Sequence, residues 1–259
     1  MNNRKEFIVA LVREAQAMIL AKIDANYNVD IKGGNQSDLV TEVDVSVEEF
    51  LVGRIQAAYP NDGFITEENT VPIEDKEYVW IIDPIDGTMN FVYMLRDFAI
   101  SVALYHNKVG QIGVICDVVN DEMIVGVLNE GVTLNDKPVK NVQPVTLREA
   151  IVDVSLRTIV GLEKKGIADL TKMSSSILSH RNMGSAALRL AHIGLGRIHM
   201  YISDTLCIWD FAAGLVILNE LGAYHNFLED EIVFDAKRTD LLASNNKTIL
   251  DELKENFYI

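Results

Sequence analysis

Tyr78-Val79-Trp80-Ile81-Ile82-Asp83-Pro84-Ile85-Asp86-Gly87-Thr88-Met89-Asn90-Phe91 decides how the rest of the chain is read. Tyr78 to Ile82 is an unbroken apolar run rich in aromatic and β-branched residues, with Pro84 and Gly87 behind it. That pattern predicts a buried strand that ends abruptly. Pro84 pushes Asp83 toward extended backbone, so the strand delivers Asp83 to its end. Asp86 follows at the turn. Gly87 supplies a positive φ or lets a ligand approach the backbone. Thr88 adds a hydroxyl and an amide. A helical turn starting here would aim the Gly87 and Thr88 amides at an anion. Two carboxylates, a hydroxyl and a set of amides at one strand end suit a hard divalent cation. Mg²⁺ takes one or two carboxylates together with substrate phosphate. An Asx-turn that merely caps a loop uses the same letters. Two acids in one tight turn beside an apolar strand weigh against it.

The 259 residues can bury a large core as one domain or two subdomains. A formal net charge of -15 argues against nucleic acid or an anionic membrane as a partner. It also repels an anionic substrate, unless a metal site reverses the sign locally. Cys116 and Cys207 are far apart and form no C-x-x-C, so they read as reduced, buried, small hydrophobes of a cytoplasmic protein. Arg13 and Glu14 interrupt the N-terminal apolar region, which is therefore no signal peptide. No apolar run is long enough to span a membrane.

Working outward toward the N-terminus, Phe7, Ile8, Leu11, Val12, Ala15, Met18, Ile19 and Ile23 recur at helical spacing. Lys32-Gly33-Gly34-Asn35-Gln36-Ser37 is a polar loop, either a plain connector or a lid. Thr41 with Asp44 has the form of an N-terminal helix cap. The helix it opens runs to about Tyr59-Pro60, and Phe64-Ile65 is a short strand ending at Thr66-Glu67-Glu68. Those two Glu are either a solvated loop or a pair that reaches a metal from the strand beside Asp83.

Toward the C-terminus, Ala99 to Tyr105, Val109 to Val118 and Met123 to Leu128 form an antiparallel meander, with turns at Asn107-Lys108 and Asn120-Asp121. Asn135-Asp136 marks another turn. A second half begins near 140. It reads as a strand over Ile151 to Leu156, a helix over Gly161 to Ser174, and a helix capped by Ser185 that runs to Gly194 or Gly196. Then come a strand over Ile198 to Ile202, a helix opened by Asp210 and stopped at Gly222, a strand over Leu241 to Ala243, and a helix from Lys247 to Phe257. The mixture predicts a layered α/β or α+β domain.

Carboxylates thus stand at four separated element ends: Asp44, Glu67-Glu68, Asp83 with Asp86, and Asp210. Each alone reads as a solvated charge or a cap. Spacing does not establish that they converge.

A resemblance supplies that step. Trp80 to Thr88 resembles the first signature of the inositol monophosphatase family, and Trp209-Asp210-Phe211-Ala212-Ala213-Gly214 resembles the second. Asp38-Leu39-Val40-Thr41 with Asp44, the Glu67-Glu68 pair, and Gly184-Ser185-Ala186-Ala187 stand in the matching order. The resemblance covers nearly the whole chain. It implies an α+β fold, a layered αβαβα sandwich forming one catalytic domain over 1–259, with subdomains of about 1–140 and 141–259. It implies Mg²⁺-dependent hydrolysis of a phosphate monoester, with inositol monophosphate as the leading substrate, in a homodimer inhibited by lithium.

By the same resemblance, Glu67, Asp83 and the Ile85 carbonyl would hold a first Mg²⁺. Asp83, Asp86 and Asp210 would hold a second, and Glu67 with Glu68 a third, weaker one. Thr88, hydrogen-bonded to Asp44, would orient and help deprotonate the attacking water. The Gly87 and Thr88 amides would hold the phosphate, and Gly184, Ser185 and Ala186 would lie near the substrate's hydroxyls. The five histidines read as structural or exposed.

One position departs from the pattern. Animal members carry a Glu seven residues before the Asp of the second signature, where it contacts inositol hydroxyls. Ser203 stands here, followed by Asp204. Either Asp204 substitutes, or the substrate is another small phosphorylated metabolite such as fructose 1,6-bisphosphate or NADP. A metal- or phosphosugar-binding regulator without catalysis is the reading from a different class. The joint presence of Asp44, Glu67, Asp83, Asp86, Thr88 and Asp210 argues against it.

Overall fold

The computed structural model describes residues 2–23, 28–31, 39–74, 76–226, 234 and 237–258. The loop at 32–37, read above as a connector or lid, lies outside the described residues.

In chain order the elements are α1 (Asn2–Lys22), β1 (Val29–Ile31), β2 (Leu39–Thr41), α2 (Glu42–Ala58), β3 (Gly63–Thr66), β4 (Tyr78–Asp86) and α3 (Thr88–Met94). The meander follows as β5 (Ala99–His106), β6 (Val109–Asp117), β7 (Glu122–Val127), β8 (Gly131–Leu134) and β9 (Lys137–Pro138). The second half holds β10 (Ile151–Val154), α4 (Leu156–Lys164), α5 (Leu170–Met173), β11 (Ser179–Arg181) and α6 (Ala186–Gly194). It continues with β12 (Met200–Leu206), α7 (Ile208–Glu220), β13 (Tyr224–Asn226), β14 (Thr239–Ser244) and α8 (Lys247–Phe257).

Two sheets carry the layers. The first is seven-stranded in the order β3-β4-β5-β6-β7-β8-β9, parallel only between β3 and β4. The second is five-stranded in the order β11-β10-β12-β14-β13. Strand alternation sorts each strand's side chains to opposite faces. On β4, Trp80 and Ile82 join Val47, Leu51 and Ile55 of α2, while Ile81 joins the core around α7. On β14, Leu241 and Ala243 face that same central core, while Leu242 joins Ile249 and Leu253 of α8. The layers are therefore α1/α2, the seven-stranded sheet, α6/α7, the five-stranded sheet, and α4/α5/α8. This is the αβαβα order implied by the resemblance.

Burial on both faces explains why the strands read as continuous apolar runs rather than alternating ones. The sandwiched α7 is apolar all round for the same reason. It lies so close to the sheet that a Cβ at Gly113 would meet the Ala213 carbonyl oxygen at 2.3 Å.

The structure corrects four details. The helix expected over Gly161 to Ser174 is two helices, because Gly166, at φ +67°, turns the chain after α4. Helix α4 also starts earlier, where the Ser155 hydroxyl accepts the Thr158 N–H at 3.0 Å. The short strands β11 and β13 carry polar residues that give no strand signal. Asp210 does not open α7. It is the third residue of that helix, and its carboxylate accepts the Cys207 N–H at 2.7 Å.

Candidate active site

The strand-end turn adopts the form its sequence dictates. Asp83 Oδ1 accepts the Ile85 N–H at 3.0 Å across Pro84, and Gly87 takes φ +96°. An L side chain is strained at that φ, so Gly87 is what allows α3 to start directly after β4. The Thr88 hydroxyl lies 3.3 Å from Asp44 Oδ1 and 3.2 Å from the Ile85 carbonyl oxygen.

Asp44 is brought there by the capping box at the start of α2. The Thr41 hydroxyl accepts the Val43 N–H at 3.1 Å, and Asp44 Oδ2 accepts the Thr41 N–H at 2.8 Å. Asp44 is fully buried. Burial pushes its carboxyl up to about 6, against the hydrogen bonds from Thr41.

Asp83, Asp86 and Asp210 offer carboxylate oxygens that all lie within 4.8 Å of one another. Burial first, then the charges of Glu67, Asp86 and Asp210, hold Asp83 well above the usual carboxylate range. Asp210 is raised by burial and by Asp86 and Glu67. Asp86 is pushed up to about 6 by burial, against hydrogen bonds from Ser185, Ala187 and Ala186. Glu67 therefore acts on this cluster from the end of β3, beside Asp83. Acids that repel each other in a buried place are a donor set for a cation. The residues present fit Mg²⁺ on this chemistry.

Glu68 and Thr70, just after Glu67, are held by a residue the sequence reading missed. Glu48 of α2 is fully buried and accepts the Glu68 N–H at 2.8 Å, the Thr70 N–H at 3.0 Å and the Thr70 hydroxyl at 2.8 Å. A Glu in a helix reads as a surface charge. No local signal marks this one.

The start of α6 is committed to Asp86. The Ser185 hydroxyl donates to Asp86, as do the Ala187 N–H at 2.8 Å and the Ala186 N–H at 3.2 Å. Gly184, Ser185 and Ala186 also line a cleft of ≈ 490 Å³ that runs from Asp86 and Asp210 past Ser203. Ser203 reaches this cleft and Asp204 does not. Asp204 sits over α4, where a Cβ at Gly161 would meet its Oδ2 at 2.3 Å. Strand alternation along β12 puts the two on opposite faces, so of the two alternatives read at this position, the one in which Asp204 stands in for the Glu finds no support in its placement.

A second trio, Asp117, Glu122 and His192, also has ligand spacing. Arg197 takes both Glu122 oxygens, and Asn120 takes both Asp117 oxygens, so a cation would have to displace them. Cys116 and Cys207 are buried, and among the described residues neither forms a disulfide. Among the described residues no helix is long and apolar enough to cross a membrane.

The layered α/β sandwich gathers carboxylates at a sheet end, and comparison with known proteins gives the class: a phosphomonoesterase. The chain belongs to the inositol monophosphatase family, whose model matches residues 1–258. It is 36% identical over 249 residues to an inositol-1-monophosphatase of Bacillus subtilis, covering 93% of this chain and 92% of that protein. It is 31% identical to a fructose-1,6-bisphosphatase/inositol-1-monophosphatase of Thermotoga maritima, covering 85% of this chain and 83% of that protein. The structure superposes with TM-score 0.85 on inositol monophosphatase II from Staphylococcus aureus at 28% identity, covering 99% of this chain and 95% of that one.

Proposed function

We propose that the chain releases inorganic phosphate from a hydroxyl-rich phosphate monoester with Mg²⁺, inositol monophosphate being the first candidate. The observation that carries the reading is the carboxylate trio of Asp83, Asp86 and Asp210, with the Thr88–Asp44 contact beside it. Glu67, Asp83 and the Ile85 carbonyl would hold one ion. Asp83, Asp86 and Asp210 would hold a second, and Glu67 with Glu68 a third. When bound, Mg²⁺ neutralises charge on the phosphate and lowers the pKa of the attacking water.

The chain's own groups do the positioning on which phosphoryl transfer depends. Thr88 orients the water and passes its proton toward Asp44. The Gly87 and Thr88 amides cradle the phosphate oxygens. Ser203, with Gly184, Ser185 and Ala186, walls the space for the alcohol part.

Phosphate release over a panel of monoesters, with Mg²⁺ and with a chelator, tests this reading. Mg²⁺-dependent release that Asp83→Asn removes is expected. Release that is indifferent to the chelator would overturn it. A broader range, including sugar bisphosphates or NADP, is the second reading. It is favoured by the cleft of ≈ 490 Å³ and the short Ser203 side chain in its wall.

The reading carries with it a cytoplasmic homodimer inhibited by lithium. Exposed apolar side chains support the dimer: Met89, Tyr93, Met94 and Leu95 on and after α3, and Leu156 on α4. Light scattering in solution tests it.

A further inference from the structure

Asp153, the third residue of β10, is only 2% exposed, yet it lines the cleft that holds Asp86, Asp210 and Ser203. Its strand pairs in parallel with β12, placing Asp153 beside Tyr201. Ser203 lies two residues further along the same face of β12. Asp153 therefore stands one strand across from Ser203 in the wall of the same cleft.

Its two oxygens are used differently. Oδ2 accepts the Met183 N–H at 3.1 Å and lies 3.8 Å from Arg189 Nη1. Oδ1 has no hydrogen-bond partner among the described residues. It is also absent from the sealed polar atoms that lack a partner, so it opens on the cleft.

Arg189 of α6 is itself 2% exposed, and its Nε and Nη2 are buried without hydrogen-bond partners. A helical side chain leans back toward the helix N-terminus, which here is the Ser185 end, under the cleft. A buried ion pair stabilises a fold only when its geometry is close and its remaining donors are satisfied. This pair is 3.8 Å apart and leaves two donors unmet, which makes it a poor staple between β10 and α6. It does keep a charged carboxylate in a buried wall, with one oxygen facing the cleft.

We propose that Asp153 is a specificity residue, whose Oδ1 accepts a hydrogen bond from a hydroxyl of the substrate's alcohol part. Arg189 is the positioning residue that sustains its charge. The inference rests on the phosphomonoesterase reading above and assigns its substrate class: monoesters that present a free hydroxyl to the β10 side of the cleft.

The test compares kcat/KM on myo-inositol 1-phosphate with kcat/KM on p-nitrophenyl phosphate, which has no free hydroxyl, for wild type, Asp153→Asn and Asp153→Asn/Arg189→Met with Mg²⁺. The ratio of the two constants is the readout, since a general loss of activity cancels in it. The expected result is a fall in that ratio of about 10-fold or more in both variants, the size of a lost hydrogen bond to a charged group. The double variant covers the case in which Asp153→Asn strands Arg189 without a counter-charge and does not fold. A ratio within about twofold of wild type in a folded variant overturns the proposal. Wild type that releases phosphate from neither compound brings down the phosphomonoesterase reading instead, a result distinct from an unchanged ratio.

Discussion

The Asp86 carboxylate at the end of β4 accepts the Ala187 N–H at 2.8 Å, so a side chain from the seven-stranded sheet caps the first turn of α6. Asp86 therefore serves two ends at once, as a member of the carboxylate trio and as the acceptor for the Ser185 hydroxyl and the α6 amides. Asp83 has a different balance. Its neighbours Glu67, Asp86 and Asp210 all repel it. These two acids of one turn should respond oppositely to loss of charge when metal is removed. Asp86→Ala leaves three donors without their acceptor, at a cost of about 1–3 kcal/mol, and should lower the metal-free Tm by several degrees. Asp83→Asn removes a buried, repelled charge and should raise the metal-free Tm while removing activity. Differential scanning fluorimetry in chelator checks both. A lower Tm for Asp83→Asn would mean that its contact with the Ile85 N–H outweighs the repulsion.

Thr88→Ala should lose turnover more than metal affinity. The hydroxyl contacts Asp44 and the Ile85 carbonyl and is not one of the clustered carboxylates. A group that positions or passes a proton contributes about 10²-fold or more. A kcat down by about that factor, with the Mg²⁺ concentration for half-activity unchanged, is expected. Equal kcat with weaker Mg²⁺ dependence would make Thr88 a ligand instead.

Glu48 predicts an effect at a distance. It holds the chain at Glu68 and Thr70 through three hydrogen bonds, just after Glu67. Glu48→Gln keeps an acceptor but places an amide where donors converge. It should weaken the Mg²⁺ dependence about tenfold or more, as loss of a partner behind a metal ligand does, and lower Tm by a few degrees. Titrating activity with Mg²⁺ checks the first effect and a melt the second. Loss of Tm alone would make Glu48 purely structural.

What the sequence made legible follows from what is local. The turn at Asp83 to Thr88 and the cap formed by Thr41 and Asp44 are short-range chemistry, so residue types alone gave their geometry. The Asn107-Lys108 and Asn135-Asp136 turns were visible likewise, and all four residues take positive φ. Long-range partners were not legible. Glu48 and Glu49 are adjacent and chemically identical, yet the first is buried and the second exposed, because only one faces the 67–70 loop. Ser203 and Asp204 are likewise adjacent, and strand alternation decided which reaches the cleft. Arg189 reads as the polar side of a helix, but α6 is sandwiched between two sheets and has no solvated side there. The resemblance supplied convergence of the carboxylates, and the trio of Asp83, Asp86 and Asp210 is now seen together.

The last prediction concerns pH. Burial raises Asp44 and Asp86 to about 6 in the folded, metal-free chain, and raises Asp83 and Asp210 as well. A carboxyl whose folded pKa lies above its unfolded value contributes stability that is present below the unfolded pKa and lost as pH rises through the folded one. For Asp44 and Asp86 that window runs from about 4 to about 6. Metal-free protein therefore loses stability from this site as pH climbs through the window, the acids ionising against each other. Half-buried His192, His199 and His225 have lowered values, so they act in the opposite sense over a neighbouring range. Their effect cancels when melts with and without Mg²⁺ are compared at each pH. A cation bound at the trio competes with protons and relieves the repulsion. The gain in Tm on adding Mg²⁺ should be small near pH 5, rise steeply through about 6 and level off above 7. A gain that does not change with pH would place the stabilising ion away from these carboxylates.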